Sequence, residues 1–134
     1  APHALAHDGL RWHCRAFCMR DRVFKDFVLG RMLSAELGEP AQVDPKADAD
    51  WVTDITLIIA PNPALSDNQR KVIAFDYGMD GGSAQLTVRR CMLYYALRRL
   101  GLDADPSARR AQEQHIVLLN AQEVFGALGQ EVPW

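Results

Sequence analysis

The stretch Arg11-Trp12-His13-Cys14-Arg15-Ala16-Phe17-Cys18 alternates in character. In an extended chain, Trp12, Cys14, Ala16 and Cys18 share one face, and Arg11, His13, Arg15 and Phe17 share the other. Arg20-Asp21-Arg22 is a polar break. Residues 23–29 then supply Val, Phe, Phe, Val and Leu, types that suit a pleated surface. Two such runs around a short polar loop predict an antiparallel hairpin. Gly30 marks a bend or bulge, and residues 31–37 read as a further short strand.

Beyond the hairpin the composition changes. Residues 39–54 carry Glu39, Asp44, Asp48, Asp50 and Asp54 against Lys46, together with Pro40, Pro45 and several alanines, and show no apolar periodicity. This stretch reads as a solvated acidic linker over 39–50, between a region at 1–38 and a second at 51–134. In the second region, residues 51–60 read as a strand that stops at Pro61-Asn62-Pro63. Ser66 with Gln69 forms a capping box that opens a helix to about Tyr77. Residues 84–86 suit a short strand, and Thr87 is placed to cap a helix over 88–100 that stops at Gly101. That helix is apolar nearly all round, so it packs on several sides, one of them open to another subunit. Residues 116–119 read as a strand, and Asn120 with Glu123 as a second capping box before a closing helix. The order β-α-β-α-β-α fits a small α/β sandwich.

Hydrophobic residues make up 49% of the 134 positions, enough to build a core and to exclude disorder over most of the chain. The longest apolar run, 91–97, is far shorter than a membrane span. A net charge of −2 gives no general attraction to polyanions. Cys14, Cys18 and Cys91 are odd in number and sparse, which points to a reducing, cytoplasmic setting and to buried apolar roles rather than disulfides or a metal site. No nucleophile elbow, phosphate-binding glycine loop or zinc-protease motif is present, so no catalytic role and no cofactor are expected.

The chemistry that remains is cationic. Arg11, His13 and Arg15 line one strand face about 7 Å apart from one to the next, and Arg31 can join them from a neighbouring strand. Guanidinium groups gathered around an imidazole suit a phosphate or carboxylate. Phe17 on the same face suits stacking on a base.

Several runs resemble a known family. Residues 2–18, with Asp8-Gly9-Leu10-Arg11-Trp12-His13-Cys14-Arg15, resemble the central part of a WYL domain in the subgroup that writes the signature as Arg-Trp-His. Phe24-Lys25-Asp26-Phe27-Val28-Leu29-Gly30-Arg31 resembles its next strand. Ala60-Pro61-Asn62-Pro63, Phe75-Asp76-Tyr77-Gly78, Tyr94-Tyr95-Ala96-Leu97-Arg98-Arg99 and residues 115–120 resemble the WCX domain that follows. The resemblance implies an α+β chain: a partial Sm-like or SH3-like β-barrel (WYL), then a small α/β sandwich (WCX) that contributes to dimerisation. It also implies a bacterial transcription regulator, of a type associated with phage defence, whose winged helix-turn-helix lies N-terminal to these residues. The family's basic pocket maps onto His13, Arg15 and Arg31, with Arg11 beside them. The expected ligand is a nucleotide or single-stranded nucleic acid, the expected partners a second copy and, through the missing helix-turn-helix, operator DNA. The alternative is a ligand-free dimerisation or protein–protein interaction module.

Overall fold

The computed structural model describes residues 1–134, which form two compact units, 1–53 and 54–134. In the first unit β1 (Pro2–His7), β2 (Trp12–Cys18) and β3 (Val23–Val28) form an antiparallel sheet in the order β1-β2-β3. The predicted hairpin forms, with Phe17 opposite Phe24 and Arg15 opposite Asp26. A strand before it, β1, completes the sheet, with a register irregularity between Pro2 and Ala4. The sheet is open, with no closed barrel. The further strand expected over 31–37 does not form. The chain turns through one 3-10 turn at Leu29–Arg31 and continues irregularly, with Leu33 and Leu37 fully exposed, so no packed surface holds it extended.

The acidic stretch is only partly solvated. Asp44 caps a 3-10 turn at Pro45–Ala47, and Asp48 caps α1 (Ala49–Val52) by accepting from the Trp51 amide. The strand expected from residue 51 therefore begins later, because the short capped helix claims residues 49–52.

In the second unit β4 (Asp54–Pro61) is central. It pairs antiparallel with β5 (Ala84–Arg89) on one edge and with β6 (Ile116–Leu118) on the other, giving the order β5-β4-β6. Leu57 and Ile59, two apart and so on one face, are fully buried. They share a core with Ile73 of α2 (Asp67–Asp76), Leu93 and Leu97 of α3 (Leu93–Leu100), and Val124 and Phe125 of α4 (Ala121–Ala127). The element order is the β-α-β-α-β-α read from sequence, and the chain as a whole is α+β with two three-stranded sheets.

Three local signals meet different fates. The Ser66–Gln69 capping box forms in both directions. Helix α3 ends where Gly101 adopts the left-handed conformation, φ 68°. The helix expected from residue 88 starts instead at Leu93, after a 3-10 turn at Arg90–Met92. Thr87 and Val88 belong to β5, opposite Thr56 and Ile55, and ladder pairing outweighs the helical pattern there. The second capping box does not form. The Asn120 side chain caps no amide of its helix; it accepts from the Ile58 amide at 2.9 Å and donates to the Thr56 carbonyl at 2.9 Å and to the Glu123 carboxylate at 3.0 Å.

Candidate functional site: two carboxylate-centred cation clusters

Local sequence explains why carboxylates gather on the first sheet. Between β1 and β2, Asp8 accepts from the amides of Leu10 (2.7 Å) and Arg11 (2.8 Å), an Asx turn, with Gly9 at φ 92°. Its other oxygen accepts from His13 Nε2 at 2.7 Å, and Arg11 Nε lies 3.8 Å away. The His13 hydrogen bond and the amides of Arg11 and Leu10 hold the Asp8 carboxyl far below the ordinary range.

The second cluster centres on Arg15. Its Nε donates to Asp48 Oδ2 at 2.7 Å and its Nη2 to Asp48 Oδ1 at 2.8 Å, the two-pronged match of a guanidinium to a carboxylate. Nη1 reaches Asp26 at 3.3 Å, the cross-strand neighbour fixed by the β2–β3 register, and Nη2 lies 3.6 Å from Asp50. His3 Nε2 donates to Asp48 at 3.0 Å, and its ring meets Phe24 and Trp51 edge-on. Asp48 is 1% exposed and Arg15 5%. Burial pushes the Asp48 carboxyl up, but the hydrogen bonds from Arg15 and His3 and the charge of Arg15 outweigh it and leave the group below its ordinary value.

The four side chains expected to bind an anion therefore have different settings. His13 and Arg15 are buried, each against a carboxylate. Arg11 keeps about half of its side chain in water, beside Asp8. Arg31 is exposed on the 3-10 turn that follows β3. Phe17, read as a stacking platform, packs edge-on against Phe24, with the Arg22 guanidinium 5.7 Å from its ring. Any anion reaching Arg15 has to displace Asp48. Cys14 is buried and its thiol is pushed up by burial, in line with an apolar role.

Sequence reading missed Asp8, Asp26 and Asp48. An Asp-Gly pair between two alternating runs signals a turn, and the strand register gives Asp26. The signal for Asp48 was weaker. An Asp three residues ahead of Trp51 is a helix-start pattern, but it was hidden in a stretch rich in acids.

In the second unit, buried polar groups serve the fold. Asn62 Nδ2 donates to the Gln114 carbonyl at 2.8 Å, and Gln114 Nε2 donates to the carbonyls of Ile116 (2.9 Å) and Leu100 (3.3 Å). No helix in either unit is long and apolar enough to cross a membrane.

Comparison with known proteins matches a family model to the second unit and longer relatives to both units. Residues 54–124 match the family model described as BrxR transcriptional regulator, C-terminal dimerization domain. The chain is also 43% identical over 125 residues to a DNA-binding transcriptional repressor CapW of Stenotrophomonas maltophilia, covering 92% of this chain and 42% of that protein. Against proteins of the same description it is 37% identical over 126 residues in Pseudomonas aeruginosa (92% and 42%), and 35% over 129 residues in Escherichia coli strain KTE188 (96% and 43%). The chain thus spans about two fifths of the length of these relatives.

Proposed function

Because this chain belongs to the BrxR transcriptional regulator family through the C-terminal dimerization domain at 54–124, we propose that it is the dimerising portion of a bacterial, cytoplasmic, DNA-binding transcriptional repressor. The observation that carries this reading is the likeness to repressors across 92% of the chain, both units included. Two-fold pairing of such chains would hold two DNA-binding elements, winged helix-turn-helices outside these residues, at the spacing of two operator half-sites. Sedimentation equilibrium of the 134-residue chain tests the first step. A dimer is expected, and a monomer at every concentration up to the millimolar range refutes it. Loss of reporter repression when residues 54–134 are deleted from the parent reading frame tests the second.

The first unit suggests how such a regulator would sense a ligand. On this reading it is part of a WYL barrel, and the second unit is a WCX sandwich. A nucleotide or single-stranded nucleic acid would engage Arg11, His13, Arg15 and Arg31, with its phosphates replacing Asp48 on the Arg15 fork and Asp8 on His13. Support comes from the bidentate geometry at Arg15, which a phosphate can reproduce. Titration calorimetry at low salt with a short single-stranded oligonucleotide tests it. Asp48→Asn, which removes the internal competitor, should bind more tightly than the parent chain, and Arg31→Ala more weakly. Heat-silent titrations for both proteins, with mononucleotides as well, would leave the ligand-free dimerisation module as the function of this region. Regulation by a ligand of this kind would suit a phage-defence repressor.

A further inference from the structure

Helix α2 is capped by its own side chains, yet of its ten residues only Ile73 is buried. Val72 and Phe75, three apart and so neighbours on the helix surface, are 59% and 86% exposed. Short helices in proteins are held mainly by packing of an apolar face rather than by propensity. A ten-residue helix that buries one side chain and turns a phenylalanine into water is short of such cover. Beside Val72 lies a groove of about 260 Å³ whose lining includes Leu65, Val72 and Ile73 together with the polar side chains Asn68, Gln69 and His115. A projecting ring and an apolar slot thus stand on the same helix. A two-fold contact requires surfaces of this self-complementary kind, since each copy gives and receives the same contact.

We infer that a second copy of this chain docks on the exposed side of α2, with Phe75 as its anchoring side chain and the groove beside Val72 as part of the receiving surface. This rests on the dimerising role proposed above and adds the place where the copies meet. The occupant is a second copy because α2 lies within the residues that match a dimerization domain. Other large apolar side chains exposed in that range are less suited to the task. The Tyr94 hydroxyl accepts from Arg98 at 3.0 Å, Leu119 stands in a turn beyond β6, and Tyr77 at the end of α2 is the least exposed of them.

The test is sedimentation equilibrium of the full chain and of Phe75→Ser, Val72→Arg and Leu119→Ser. Two phenylalanines, one from each copy, leave the interface in Phe75→Ser, so its dissociation constant should rise on the order of 100-fold or more. Val72→Arg should weaken the dimer similarly, and Leu119→Ser should leave it unchanged. Both substituted side chains on α2 are exposed in the single chain, so far-ultraviolet circular dichroism should show an intact fold. A dimer of unaltered affinity in both α2 variants would place the interface elsewhere while leaving the dimerising role standing. A monomeric parent chain would overturn both.

Discussion

Removing the carboxylate of Asp48 should loosen the first unit by several kcal/mol. Asp48 accepts two charge-assisted hydrogen bonds from Arg15, at 2.7 and 2.8 Å, and one from His3, and its backbone lies at the start of α1. Deleting one member of a buried ion pair typically costs about 3–5 kcal/mol, because the partner charge is left uncompensated. Here Asp26 at 3.3 Å and Asp50 at 3.6 Å still face the guanidinium. We therefore place Asp48→Asn near 2–3 kcal/mol and Asp48→Ala, which also loses the cap on Trp51, near 3–4 kcal/mol. Hydrogen exchange of peptides covering 12–18, converted to an opening free energy, reads this unit separately from the other. Replacing both partners, Arg15→Met with Asp48→Leu, should recover at least half of the loss, since no charge then remains stranded. A cost below about 0.5 kcal/mol for Asp48→Asn, or a double variant as unstable as the sum of the single ones, would show that the pair does not hold the unit together.

The acid limb of stability should report the same carboxylates. Asp48 and Asp8 sit below their unfolded values, so their contribution is complete above about pH 5 and fades as pH falls through the lowered folded values. Melting temperatures between pH 2 and 7 should drop on acidification in the parent chain and drop less in Asp48→Asn. A new Cβ at Gly101, already at φ 68°, would collide with the Gln114 carboxamide, so Gly101→Ala should cost about 2–3 kcal/mol in urea unfolding. Asn120→Ala leaves the Ile58 amide and Thr56 carbonyl without their side-chain partner and should cost about 1–3 kcal/mol by the same measurement. Leu97→Ala, at 1% exposure in the core with Leu57 and Val124, should cost about 2–5 kcal/mol. A loss under 1 kcal/mol there would show that the core collapses around the gap.

Local chemistry was the readable part of this chain. The β2 and β3 spans, the Ser66–Gln69 box and the Gly101 stop are each written in adjacent residues, and each is present. What sequence could not supply was competition from distant segments. Thr87 carries a helix-start signal but lies opposite Thr56 in a ladder, and that partner is 31 positions away. Asn120 looks like a cap, yet β4 offers its amide and carbonyl a better geometry. The cationic face is similar. Alternation correctly puts His13 and Arg15 on one strand, but the partner of Arg15 comes from a stretch whose composition reads as solvent-loving. Asp48 is buried because a forked cation awaits it, and no property of residues 39–50 alone announces that.

Asn120 has one further consequence. Strand β6 ends at Leu118, and the Leu119 amide reaches the Ile58 carbonyl, so the bordering flank of β4 next presents the Ile58 amide and Thr56 carbonyl. The Asn120 carboxamide occupies both, a side chain imitating one more peptide rung. A bare flank of this kind invites stray β-addition by neighbouring molecules. By filling these two positions, one asparagine prolongs the β4 ladder past the end of β6 and leaves two fewer backbone groups open to an incoming strand, while β5 and β6 remain the outer edges of the sheet.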